Sequence, residues 1–278
     1  HPDLFWALRG GRTNFGVATA IEIDLVPVRT LYGGSLFFDA PLIEPALRTF
    51  LGWTRDLPDA MTSSLAVIPF PDVPAVPEPL RGRHVAHVRI AYVGDAGAGE
   101  RLITPLRGIG PRLMESLTTL PYSANASIYN EPTAPVAYYQ SNAMLEAIDD
   151  DLIRAILDLG IARFKVVGVI EIRHLGGAMA RPPAVDNAVG HRAAQYLLRI
   201  ITPRLEPADT AAVKSGHESL LSALEPRTLG YCLNFMSAGT RPEAMSRFYD
   251  ADAYRRLVEL KAIYDPANRF RFTNAMRG

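Results

Sequence analysis

The sequence predicts a mixed fold in which one sheet is covered by helices on one side. Three observations predict it. Residues 63–70 and 84–93 are rich in apolar and β-branched side chains and read as strands. Residues 251–264 carry apolar side chains at helical spacing. The two kinds of segment interleave along 278 residues, a length that fits one large domain or two smaller ones. Pattern alone leaves the strand direction open.

In chain order, residues 3–8 hold Leu4, Phe5, Trp6 and Leu8, which need a partner surface at once. Domains ordinarily start at an exposed boundary, so the chain is expected to begin inside a packed unit, with a portion belonging before His1. Gly10, Gly11 and Gly16 mark a turn, and residues 17–28 set Val17, Ile21, Ile23 and Leu25 against Glu22 and Asp24, a strand pattern. Residues 31–38 form a second extended candidate. Asp39 suits the cap of a helix over residues 40–52, with Pro41 in its first turn, where no backbone N–H is needed. The strand at 63–70 stops at the Pro-rich residues 71–79, a surface excursion. After the strand at 84–93, residues 100–106 and 111–117 are predicted as short helices. Residues 142–159 give the longest helical pattern, through Leu145, Ile148, Leu152, Ile156 and Leu159. Strands at 164–174 and 195–201 follow, then helices at 209–224 and 251–264, the last ending before Asp265-Pro266. Residues 231–235 read as a short strand with Tyr231, Leu233 and Phe235 on one face and Asn234 on the other.

Composition excludes several classes. There are 29 Lys plus Arg against 29 Asp plus Glu, so no net charge draws the whole chain to nucleic acid or an acidic membrane. The single cysteine, Cys232, rules out an internal disulfide framework and argues against a thiolate metal cluster. No apolar run reaches the roughly 18 residues of a spanning helix, and residues 1–12 do not resemble a secretory signal. Neither observation decides between cytoplasm and secretion.

Three polar constellations stand out. The Gly10–Gly16 region allows close backbone approach, to a phosphate, a flat cofactor or simply the chain itself, but lacks the spacing of dinucleotide and triphosphate loops. Alternation in Glu171-Ile172-Arg173-His174 places Glu171 and Arg173 on one face and Ile172 and His174 on the other, so one pair can line a ligand site. A metal held by His174 and His191 would need a third ligand that the sequence does not signal. Tyr231 offers a hydroxyl for binding or proton transfer, or an ordinary buried ring.

Taken together, Asp3-Leu4-Phe5-Trp6-Ala7-Leu8-Arg9-Gly10-Gly11 with Asn14-Phe15-Gly16, Gly176-Gly177-Ala178 with His191-Arg192, Tyr231-x-x-Asn234, and Tyr264-Asp265-Pro266-x-Asn268-x-Phe270 resemble the berberine-bridge-enzyme-like FAD-linked oxidases. The resemblance implies an α+β fold: a substrate domain with a broad antiparallel sheet backed by helices, plus remnants of a split FAD-binding domain. Residues 1–28 and 226–278 would belong to the FAD-binding domain and residues 29–225 to the substrate domain. The family region carrying the phosphate loop and the covalent flavin attachment is not in this sequence, and Cys232 does not match the attachment cysteine. The missing N-terminal portion is therefore a candidate partner.

What the resemblance implies for function is oxidation of a hydroxyl-bearing sugar or specialised metabolite, with hydride transfer to FAD and reoxidation by molecular oxygen. Tyr231 would take the hydroxyl proton. Tyr139, Glu171, Arg173 and His174 would orient substrate. Gly10, Gly11, Arg12, Asn14, Gly16, Asn234, Asn268 and Asn274 would support the cofactor. No metal is expected. One departure matters: Arg12-Thr13 stand where relatives often continue a run of glycines. This motivates the alternative of a flavin-lacking relative that performs a non-redox cyclisation or only binds a ligand.

Overall fold

A computed structural model describes residues 1–278 except 132–134, 164–166, 204–206, 238–241, 272–275 and 277–278. Among the described residues nine strands form one sheet: β1 (Thr30–Asp39), β2 (Met61–Pro69), β3 (His84–Tyr92), β4 (Met114–Glu115), β5 (Thr118–Pro121), β6 (Tyr138–Leu145), β7 (Val169–His174), β8 (Tyr196–Pro203) and β9 (Thr228–Gly230). The order is β4-β1-β3-β2-β7-β8-β6-β9, with β5 beside β1, and every pairing is antiparallel. This is the α+β architecture expected from the resemblance.

Alternation along the strands separates two faces. Leu65, Val88, Ile172, Leu198 and Leu145 meet Phe50 of helix Ile43–Trp53, Leu152 of helix Asp150–Ala155 and Leu220 of helix Thr210–Leu224 in the main apolar core. The intervening residues, among them Arg89, Glu171, Arg173, Arg199 and Asn142, belong to the other face, which these helices leave open. Two small devices border that open face. At one end Ile128 and Tyr129, in the turn after β5, pack with Leu31, Leu120 and Ala91. At the other, Cys232 and Phe235 pack with Met144, Leu175 and Leu197.

A second apolar cluster joins chain ends that are far apart in sequence. Trp6 and Ala7 of helix Pro2–Leu8 pack with Phe15, Ala188, Leu233, Phe248, Leu257 of helix Ala251–Tyr264, and Met276. Lys261 welds it. Its ammonium donates to Asp265 Oδ2 at 2.6 Å and to the carbonyls of Asn14 and Phe270 at 2.8 Å each. Asp265 in turn accepts from the backbone N–H groups of Arg269 and Phe270.

Several sequence expectations are corrected. Residues 17–28 form no strand, and Val17, Ile21, Ile23, Leu25 and Val26 are 72–87% exposed. Their alternation is genuine, but among the described residues no strand lies alongside to pair with them. Residues 142–159 are not one helix. Asn142 to Leu145 complete β6, and the helix starts only after Asp149, whose carboxylate accepts from Leu152 N at 3.0 Å. Leu145 is apolar because it faces the core from a strand, which a helical period cannot distinguish. Residues 111–117 supply β4, paired with β1, instead of a helix. Residues 231–235 hold a 3₁₀ turn at Leu233–Phe235, with the strand ending at Gly230. The start of the strand expected at 164–174 lies outside the described residues, and β7 runs from Val169.

Candidate functional site

The open face of the sheet gathers a buried cluster of charged side chains. Glu171 of β7, 3% exposed, accepts from Arg89 Nη2 at 2.6 Å, Arg199 Nη1 at 2.7 Å and Arg173 Nε at 2.9 Å. Register explains the convergence: Arg199 on β8 sits opposite Glu171, while Arg173 and Arg89 both sit opposite Ser64 of β2. Burial alone would favour the neutral acid, but the three guanidinium groups outweigh it and hold the Glu171 carboxyl below the usual carboxylate range. A single carboxylate therefore sits among three cations.

Aromatic rings fix the planes of these cations. Arg89 lies 4.3 Å from the Tyr129 ring centre, Arg199 lies 4.1 Å from that of Phe235, and Arg173 lies within 5.6 Å of both. Beside them His87 stacks on Phe37 at 3.9 Å, and burial, with the Arg89 charge, pushes it down to about 3, so it is neutral at physiological pH. A cleft of about 250 Å³ opens next to this group, lined by Arg89, Tyr129, Thr62, Asn125 and Tyr122.

The residues singled out from sequence do not all meet here. Glu171 and Arg173 do. His174 is on the other face, as alternation requires, with its ring 6.0 Å from that of Tyr196; burial lowers its pKa. Tyr139 is also on the helix side, its ring 4.9 Å from that of His217, and burial raises its pKa. Tyr231 lines a separate pocket of about 360 Å³ with Glu218, Leu221, Ser222 and Glu225. Its hydroxyl donates to Glu225 Oε2 at 3.5 Å, Arg247 lies over its ring, and burial raises its pKa. The structure thus separates Tyr231 from Glu171 and Arg173. Instead its neighbour Cys232 borders the arginine cluster, held there by Asn142. Arg89, Arg199 and Asn142 were missed in the sequence because they converge only through strand register, and Tyr129 because the short helix Ala126–Tyr129 carries it there.

The residues expected to support a flavin are mostly committed to the chain itself. A Cβ at Gly10 (φ +142°) would lie 2.6 Å from the Ala188 backbone, and one at Gly11 would lie 2.5 Å from the Ala7 carbonyl, so both glycines serve internal packing. Arg12 adopts φ +56° and donates to the Leu233 carbonyl at 2.5 Å. Buried Asn14 donates to the Gly11 carbonyl and accepts from Met276 N. By contrast Gly16 has open space around it, Asn234 is exposed, and Asn268 carries a buried Oδ1 with no hydrogen-bond partner. Gly16 and Asn234 thus lie open and Asn268 keeps an unpartnered oxygen, whereas Gly10, Gly11, Arg12 and Asn14 are engaged in internal packing or hydrogen bonds. Asn274 lies outside the described residues.

Among the described residues no cluster of His, Cys, Asp and Glu could hold a metal ion, and no helix is long and apolar enough to cross a membrane. His191 is tied to Asp250 and to the Arg247 carbonyl, which docks the loop before β8 onto the second cluster.

Comparison with known proteins agrees with this architecture. Residues 232–277 match the family described as berberine and berberine like. The chain is 25% identical over 275 residues to an FAD-linked oxidoreductase of Dictyostelium discoideum, covering 97% of this chain and 57% of that protein. It is 25% identical over 284 residues to (R)-6-hydroxynicotine oxidase of Paenarthrobacter nicotinovorans, covering 97% and 59%. A xylooligosaccharide oxidase of Myceliophthora thermophila, solved with xylobiose, has the same fold, with a TM-score of 0.79, 18% identity and coverage of 100% and 62%. The chain spans less than two thirds of the length of these relatives. Along nearly its whole length the chain is thus similar in sequence and in fold to FAD-linked oxidoreductases, and residues 232–277 match the berberine and berberine like family.

Proposed function

We propose that the protein is an FAD-linked oxidoreductase acting on a hydroxyl-bearing small molecule, a sugar or a specialised metabolite, and that the open sheet face is its substrate surface. The observation that carries the placement is the arginine–glutamate cluster lying between two aromatic turns, beside a cleft. Relatives named for oxidation of chitooligosaccharide and of 6-hydroxynicotine support the redox class.

A flavin, when bound, supplies the two-electron acceptor, with molecular oxygen to regenerate it. The chain's own residues orient the substrate: Arg173 engages Glu171 through Nε alone, which leaves its terminal nitrogens for a ligand oxygen. Phe235 and Tyr129 supply flat apolar walls. Gly16, Asn234 and Asn268 are the positions of this chain that we assign to cofactor contact. The proton-accepting role of Tyr231 rests on the sequence motif; its hydroxyl could pass a proton to Glu225, but on the helix side of the sheet.

The test is spectroscopic. Protein from the full-length gene should carry the visible absorption of a flavin, and a candidate hydroxylated substrate added without oxygen should bleach it. A folded, colourless protein that still binds substrate would favour non-redox binding, a reading supported by the commitment of Gly10, Gly11 and Arg12 to internal packing.

A further inference from the structure

We infer that the substrate surface contains an anion subsite, built by Arg89, Arg173 and Arg199, that takes an anionic oxygen group, carboxylate or phosphate, on the ligand. The inference deepens the proposed function and rests on its placing the substrate at the open face.

The charge count motivates it. Three guanidinium groups contact a single carboxylate, that of Glu171. The next acidic group acting on them is Glu131, felt by Arg173 without a direct ion pair. His87 is neutral. Among the described residues these three guanidinium groups thus share one directly paired carboxylate, at a site where the Arg89 and Arg199 side chains are only 6% and 12% exposed. Desolvated cations are costly unless an anion or hydrogen bonds answer them, so a fold built for stability alone would favour matched charges.

The hydrogen-bond inventory agrees. Arg89 Nε and Arg199 Nε are buried with no partner, and unsatisfied buried donors of this kind destabilise by the cost of stripping water from them. Both belong to planes already fixed by stacking on Tyr129 and Phe235, so little side-chain freedom remains to be lost on binding. Arg89 and Tyr129 line the cleft of about 250 Å³, which gives a small anionic molecule access. Guanidinium forks match the two oxygens of a carboxylate or phosphate, and a neutral ligand would answer the same donors more weakly and leave their charge unmatched.

Calorimetric titration of the chain with benzoate, phenyl phosphate and the neutral isostere benzamide tests the subsite without requiring turnover. At least one anion should bind about tenfold or more tightly than benzamide, and its affinity should fall as salt is raised. The tighter of the two anions identifies carboxylate or phosphate as the natural group. Arg173→Gln, at a side chain 27% exposed, should weaken the anion about tenfold with an unchanged circular dichroism spectrum. Nitrogen NMR of the wild-type protein should show the Arg89 and Arg199 Nε–H signals moving with benzoate or phenyl phosphate and not with benzamide. Equal affinity for benzamide and both anions, or Nε–H signals that stay still at saturation, overturns the inference. Anion binding in a protein that oxidises nothing would leave the subsite standing and defeat only the redox reading.

Discussion

Asn142 and Cys232 exchange a pair of hydrogen bonds: Cys232 N donates to Asn142 Oδ1 at 2.7 Å, and Asn142 Nδ2 donates to the Cys232 carbonyl at 3.0 Å. The same amide nitrogen also donates to the Phe235 carbonyl at 2.9 Å. Asn142 is fully buried on β6, so one side chain replaces the strand pairing that ends at Gly230 and seats the 232–235 turn on the open face. That seat places Phe235 over Arg199.

Replacing Asn142 with Ala removes all three bonds and takes this partner from the part-buried Cys232 N–H and Phe235 carbonyl, while the Cys232 carbonyl still accepts from Phe235 N. Stability should fall by about 2–4 kcal/mol. Urea unfolding followed by circular dichroism measures the loss. A change under about 0.5 kcal/mol would show that the turn is held by the packing of Cys232, Phe235 and Leu197 instead.

Tyr231 and Arg173 should separate sharply in function. Geometry puts Arg173 in the cluster and Tyr231 beside Glu225 in another pocket. In flavin-loaded protein, Tyr231→Phe should leave the rate of substrate-driven flavin reduction within about threefold, whereas loss of a general base ordinarily costs about a hundredfold or more. Anaerobic stopped-flow absorbance decides. A hundredfold loss in Tyr231→Phe would move the reacting hydroxyl to the Tyr231 pocket and restore the role that the sequence motif suggests.

The sequence was most legible where one period had one meaning. Residues 63–70 and 84–93 became β2 and β3, and residues 251–264 a helix, nearly end to end. It misled where two elements share a period: Leu145 closes a strand and Leu152 opens a helix, yet their spacing suits a single helix. Alternation in Glu171-Ile172-Arg173-His174 correctly sorted the two faces. It could not show that Arg89 and Arg199, 82 and 28 residues away from Glu171, would share its carboxylate. That information resides in register, which is a property of strand pairs and not of any one segment. Likewise, nothing local tells Tyr231 from Cys232; the Asn142 clamp decides which of them borders the cluster.

Residues 17–28 give a prediction about the surface. Ile21, Ile23 and Leu25 are 72–87% exposed, so replacing them with Lys removes apolar area from water without disturbing any buried contact. The triple variant should unfold within about 0.5 kcal/mol of the parent and bind less of an apolar fluorescent dye. A larger destabilisation would mean that these side chains pack on the protein in solution.

Stability should also depend on the protonation of His217. Its ring bridges β6 and β8, with Nδ1 2.7 Å from Ser141 Oγ and Nε2 2.9 Å from Thr202 Oγ1, and burial pushes it down to about 4. An unfolded histidine titrates near about 6.5, so the unfolded chain binds the proton first as the solution is acidified. The contribution of the neutral ring is therefore complete above about pH 6.5 and lost as pH falls from there toward about 4, on the order of 3 kcal/mol in all. His217→Gln keeps a neutral polar side chain and should flatten this part of the pH profile while lowering stability at pH 7. Equilibrium unfolding of both proteins across the acid range measures the difference. If parent and variant lose stability in parallel between those two pH values, the destabilising proton binds elsewhere, with His87, also buried and depressed, as the next group to replace.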